Sequence, residues 1–131
     1  MERSDFIERV SAVLDDAGFP NDIGRIDILD GREGICVREV SRQLVAADYA
    51  GEKTYSVIYQ IAARYRDEEE AEGTIWRITS LLEGVDIPSD DGSYEFDSQE
   101  VYASPQELSI RETMFYAWQV RFQAEIRQIV R

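Results

Sequence analysis

The strongest constraint in the chain is the alternation running from Thr54 to Arg66. Tyr55, Val57, Tyr59, Ile61, Ala63 and Tyr65 share one parity, and Thr54, Ser56, Ile58, Gln60, Ala62, Arg64 and Arg66 the other. Period-two alternation over this length fits an antiparallel strand with one face buried, and no helix. A second such run lies near the C-terminus, about Arg111 to Ile129. Met114, Tyr116, Trp118, Val120, Phe122, Ala124 and Ile126 line one face. Gln119, Arg121, Gln123, Glu125 and Arg127 line the other, with Phe115 the apolar exception. Both runs exceed the usual strand of about five or six residues. Their ends are therefore expected to pair with or pack on neighbouring subunits.

Two helices are expected to cover the apolar face. From Asp5 to Ala17, Phe6, Val10, Val13, Leu14 and Ala17 make one stripe, with Asp5 and Glu8 as an acidic capping box. Gly18 suits a left-handed end, and Pro20 blocks continuation. The second helix begins at about Asp67, where Asp67-Glu68-Glu69-Glu70 suits the positive end of the helix dipole. Ala71, Ile75, Ile78 and Leu82 form its apolar face, and Gly84 its stop.

The remaining segments are shorter. Arg25 to Leu29 alternates and reads as a strand before the Asp30-Gly31 turn signal. Gly34 to Val40 reads as another strand, and Ser41 to Gly51 stays open between a strand extension and a loop with a helical turn. Asp86 to Gly92 is loop; Ser93 to Ala103 reads as a strand with a bulge between Asp97 and Glu100, and Ser104 to Ser109 as a turn around Pro105. The order is helix, two or three strands, helix, two strands. The expected fold is α+β: a mainly antiparallel sheet of four to five strands packed against two helices. At 131 residues, positions 1–131 make a single domain with one core.

The residue inventory argues against catalysis. There is no histidine, so the usual general base near neutral pH and the commonest zinc ligand are missing. The one cysteine, Cys36, has no histidine partner and sits in an apolar run. No phosphate-binding glycine loop is present; Gly31-Arg32-Glu33-Gly34 is a turn without a helix start beside it. Asp90-Asp91-Gly92 fails the calcium-loop pattern, because counting back from Gly92 puts Ile87 at the first ligand position. No catalytic residues, cofactor or metal are expected.

Charge narrows the partners. With 27 acidic and 14 basic residues the net charge is −13, which opposes binding to nucleic acid and to anionic membranes. No run approaches the ~20 apolar residues of a membrane helix. Met1 to Asp5 lacks the basic start and apolar run of a signal peptide. The chain is therefore expected to be made in a cytoplasm.

The strand Tyr55-Ser56-Val57-Ile58-Tyr59-Gln60-Ile61-Ala62-Ala63-Arg64-Tyr65 leads directly into Asp67-Glu68-Glu69-Glu70-Ala71 and Trp76-Arg77-Ile78. A strand ending near Pro105 and the final Phe115-Tyr116-Ala117-Trp118-Gln119-Val120-Arg121-Phe122 complete the order. This arrangement resembles the tail-terminator and minor-capsid (tail-to-head joining) proteins of tailed bacteriophages and prophages. The resemblance implies a virion protein, made in the bacterial host cytoplasm, that forms a ring. Such rings are typically hexamers that cap the tail tube and join it to the head connector, with DNA passing through the centre. An acidic lumen would let that DNA slide. Subunit contacts are then expected at Arg77, off the second helix's apolar stripe, and at Gln119, Arg121, Gln123 and Arg127 on the outer face of the last strand. The loops Ser41–Gly51 and Ile87–Ser93 are expected to meet other assembly proteins. The rival reading is a small acidic module that neutralises a basic partner, as immunity proteins and nucleic-acid mimics do.

Overall fold

The computed structural model describes residues 4–108 and 114–129. Helix α1 spans Phe6–Asp16, strand β1 Asp22–Ile23 and a 3-10 turn Ile26–Leu29. Strands β2 (Gly34–Ala47) and β3 (Glu52–Tyr65), helix α2 (Glu68–Glu83), and strands β4 (Glu95–Leu108) and β5 (Tyr116–Ile129) follow. The five strands form one sheet in the order β1-β2-β3-β5-β4, antiparallel except for the β1–β2 pair. The fold is α+β, with two helices and a mostly antiparallel open sheet.

The two runs that the alternation singled out lie side by side at the centre. Strands β3 and β5 pair from Glu52↔Ile129 to Tyr65↔Tyr116 without a break in register. Parity then separates two faces. Tyr55, Val57, Tyr59, Ile61 and Ala63 of β3 join Val120, Phe122, Ala124 and Ile126 of β5 in the core. Phe6, Val10 and Leu14 of α1 and Ile75, Ile78 and Leu82 of α2 cover them from one side. Both helices thus lie on the same face of the sheet.

Local chemistry ends the helices. Phe19 donates its N–H to the Leu14 carbonyl at 2.8 Å, and Gly18 its N–H to Asp15 at 3.1 Å, with Gly18 left-handed at φ 89°. This crossed pair satisfies the last carbonyls of α1. At α2, the Asp67 carboxylate accepts the Glu69 N–H at 3.0 Å, satisfying one orphan donor of the first turn. The expected Asp5 capping box is not formed. Instead the Asp5 carboxylate reaches across to residues 89–93, accepting from the Ser89 hydroxyl at 2.7 Å, the Ser93 hydroxyl at 3.0 Å and the Asp90 N–H at 2.9 Å. It fastens the start of α1 to the loop before β4.

Three other expectations are corrected. Arg25–Leu29 is no strand: the parallel strand is Asp22–Ile23, and Ile26–Leu29 is the 3-10 turn that carries the chain on to β2. That crossover passes beneath the sheet, on the face away from the helices. A Cβ added to Gly34 would lie 2.9 Å from Cδ2 of buried Leu29, so Leu29 sits against the strand where a larger residue cannot. Ser104–Ser109 is no turn up to Leu108, because β4 continues through Pro105. An edge strand tolerates proline, since its missing N–H would point away from the ladder. Strand β5 begins at Tyr116, so Met114 is an exposed turn residue; positions 111–113 of the expected strand lie outside the described residues. Ser41–Gly51 resolves into the end of β2 and a tight hairpin, in which the Asp48 carboxylate accepts the N–H groups of Ala50 and Glu52 at 3.0 and 2.9 Å.

The strands flanking the central β3–β5 pair have irregular register. Strand β4 slips against β5 between Phe96 and Ser98, Val101 and Ala103, and Ala103 and Gln106; β2 slips twice against β3. Asp97, at the first β4 slip, lies within the expected bulge. Among the described residues the outer side of β4 pairs with no strand, and β1 covers β2 only at Cys36 and Val37.

Candidate interface on the open face of the sheet

The face without helices is built from the polar parity of each strand. Register places Arg38 of β2 opposite Gln60 of β3, and Gln60 opposite Arg121 of β5. The side chains follow that row. The Gln60 Oε1 accepts from Arg38 Nη2 at 3.3 Å and from Arg121 Nη2 at 3.1 Å. With Arg25, Ile26, Leu108 and Gln119 these residues line a concavity of about 300 Å³. A second concavity of about 280 Å³ lies along the same face and is acidic, lined by Ser98, Gln99, Glu100, Gln123 and Glu125.

The five residues expected at subunit contacts do not all come together. Gln119, Arg121, Gln123 and Arg127 share the open face, while Arg77 stands on the outer surface of α2, across the sheet. The Arg77 guanidinium donates to the Gly73 carbonyl and Thr74 hydroxyl of its own helix and lies 5.8 Å from the Phe19 ring centroid. Arg127 is gripped by Glu52 at 2.8 Å, Glu95 at 2.9 Å and Asp97 at 2.8 Å. Its donation to the Glu52 and Asp97 carboxylates pushes its pKa up further, so it stays charged. Gln123 donates to the Ser56 hydroxyl at 2.6 Å. Gln119 is nine-tenths buried, and its Oε1 has no hydrogen-bond partner among the described residues. Arg121, half-buried, has a neutral amide as its partner and none of the carboxylates that hold Arg127.

Sequence reasoning missed Arg25, Arg38 and Gln60. Their signal is faint. Gln60 is a long polar residue at the centre of a strand, and Arg38 interrupts an apolar run, but only the strand pairing brings them to Arg121.

The remaining reactive groups are sealed. Burial first, then Asp22, pushes the Cys36 thiol up to about 11, which leaves it protonated and inert near neutral pH. Burial likewise raises Tyr59 and Tyr94 above the ordinary phenol range. Tyr59 donates its hydroxyl to Gln99 and Tyr94 to the Ile87 carbonyl, both at 2.5 Å. Among the described residues no group of three or more histidine, cysteine or acidic side chains could hold a metal ion. None of their helices is long and apolar enough to cross a membrane. The arrangement is suited to binding.

Residues 14–128 match the sequence profile of a family described as bacteriophage tail terminator protein. The chain belongs to that family. The match begins at the end of α1 and takes in α2, strands β1 to β4 and β5 up to Gln128, so the open face lies within the shared domain. No curated protein matches the chain. A phage tail terminator has a structural role in the tail, as part of the virion, and meets other tail and head proteins. Such families are generally not enzymes.

Proposed function

We propose that this tail terminator assembles into a closed ring of identical subunits that caps the tail tube and forms the surface joining tail to head. One observation carries the reading. Four strands of 14 residues present a largely polar face that neither α-helix covers and that the short 3-10 crossover covers only in part. Such strands exceed the usual five or six residues, and an uncovered polar face of that extent is suited to contact with a neighbouring subunit. Arg121, Gln119, Gln123 and Arg127 contribute to that side; Arg77, on the far side of the sheet, serves the neighbour's contact. The exposed hairpin tip around Leu44, Val45 and Tyr49 offers apolar contact to the tube or the connector. The net charge of −13 suits passage of DNA through the centre.

The test is mass in solution by light scattering over a range of concentrations, followed by electron microscopy of terminator-free tail tubes mixed with the protein. A ring-sized mass, or density capping the tube ends, is expected. A subunit mass at every concentration together with bare tube ends would overturn the reading. It would favour an acidic module binding one basic protein.

A further inference from the structure

The concavity on the open face has an unusual charge for this molecule. In a chain of net charge −13, three of its seven lining residues are arginines and none is acidic. Arg25 has an ion pair with Asp27 at 3.0 Å, in which both side chains are largely exposed. Arg38 and Arg121 have no carboxylate within ion-pair distance among the described residues, and their guanidinium groups converge on the single Gln60 Oε1. Two cations sharing one neutral acceptor repel each other, and an anion between them would relieve that. Gln119, whose buried Oε1 has no hydrogen-bond partner among the described residues, also lines the concavity. A free inorganic anion brings acceptors only. A peptide segment brings a carboxylate together with its N–H groups.

The same molecule carries such a segment on the opposite face of the sheet. Glu68, Glu69 and Glu70 at the start of α2 are all exposed, and none of the ion pairs among the described residues uses them. The acidic groups beside the pocket, Glu100 and Glu125, would instead require two open faces to stack about a twofold axis, which closes at two copies. Patches on opposite faces cannot meet within one subunit. They can meet only head to tail, a contact that passes from copy to copy and closes into a ring where the rotation between copies allows.

We infer that the Arg25–Arg38–Arg121 pocket of each subunit receives the acidic start of α2, Glu68–Glu70, from the next copy of this chain. This rests on the ring reading above and gives it a residue-level contact. Arg121 and Arg38 bind the carboxylates across three strands, and the rigid β3–β5 pair holds them at fixed spacing.

Complementary charge reversal tests it. One variant carries Arg38→Glu and Arg121→Glu; the other carries Glu68→Lys, Glu69→Lys and Glu70→Lys. Sedimentation gives the assembled fraction of full-length protein, alone and on tail tubes, and thermal melting confirms that each variant folds. Should the double arginine variant fail to fold, Arg121→Gln takes its place in the unmixed assay. Each variant alone is expected to need at least about tenfold more protein for half-assembly. A mixture of the two is expected to recover assembly, because each pocket then finds the opposite charge on the other variant. Assembly undiminished in both variants would overturn the pocket contact and leave the ring standing. A wild-type chain that never assembles, in solution or on tubes, would overturn both. Millimolar binding of inorganic phosphate that disappears with Arg121→Gln, alongside undiminished assembly, would assign the pocket to a free anion and overturn the contact.

Discussion

Replacing Phe6 with alanine should loosen α1 from the sheet, and its cost follows from the packing. Phe6 is fully buried. Its ring meets Tyr59 and Tyr94 edge-on at centroid distances of 5.5 and 5.4 Å and stacks on Phe96 at 6.4 Å. Removing roughly 150 Å² of buried apolar side chain at about 25 cal/mol per Å² costs roughly 4 kcal/mol. Phe→Ala truncations of well-packed cores cost about 3–5 kcal/mol, which agrees. Against a total stability of about 5–15 kcal/mol the change is large. For a domain of this length it corresponds to a melting temperature lower by roughly 12–20 °C. Urea unfolding followed by the fluorescence of the two tryptophans, Trp76 and Trp118, measures it directly. Phe6→Leu keeps most of the volume and should cost less than about 1.5 kcal/mol. A loss below about 1 kcal/mol for alanine, within the range of ordinary surface substitutions, would refute the claim that this ring clamps α1 to β3 and β4.

Two further outcomes are expected. Gly73→Ala in α2 meets open space and replaces a poor helix former, so it should stabilise the chain by about 0.5–1 kcal/mol in the same urea assay; destabilisation would show that the helix surface there is not free. Stability should also fall in alkali. Burial raises the folded-state values of Cys36 (to about 11), Tyr59 and Tyr94 above their unfolded values, so the folded protein keeps protons that the unfolded chain releases. The contribution is complete below pH of about 8.5 and is lost as pH rises through the folded values. Urea midpoints that stay flat to pH of about 11 would contradict this; Cys36→Ala should delay the onset of the fall.

The central features were legible in the sequence because each follows from a local period. Strands β3 and β5 announce themselves by alternation, α2 by its 3.6-residue stripe and acidic first turn. The crossover was not legible. Ile26-Asp27-Ile28-Leu29 alternates as a strand would. The left-handed Asp30 and Gly31 and the burial of Leu29 against Gly34 instead close it into a 3-10 turn. Pro105 misled for a related reason: proline ends central strands and not edge strands, and edge position is a property of the whole sheet. At the site, parity alone put Gln119, Arg121, Gln123 and Arg127 on one face. Arg38 and Gln60 join Arg121 only through register between strands far apart in sequence, which no local pattern encodes. Asp5 shows the same limit, since its partners lie more than 80 residues away.

The broken register of β4 limits how copies of this chain can polymerise. Fibre growth by strand addition needs two usable borders on every sheet, one to receive and one to offer. A neighbour joining along β4 would have to reproduce three slips and accommodate Pro105, so that border is a dead end. On the other border β1 covers only part of β2, so pairing there can still bring two copies together, but the resulting dimer has only β4 borders left and stops there. A protein accumulating before its tail is ready is in this way protected from runaway sheet extension, while its faces stay free to stack.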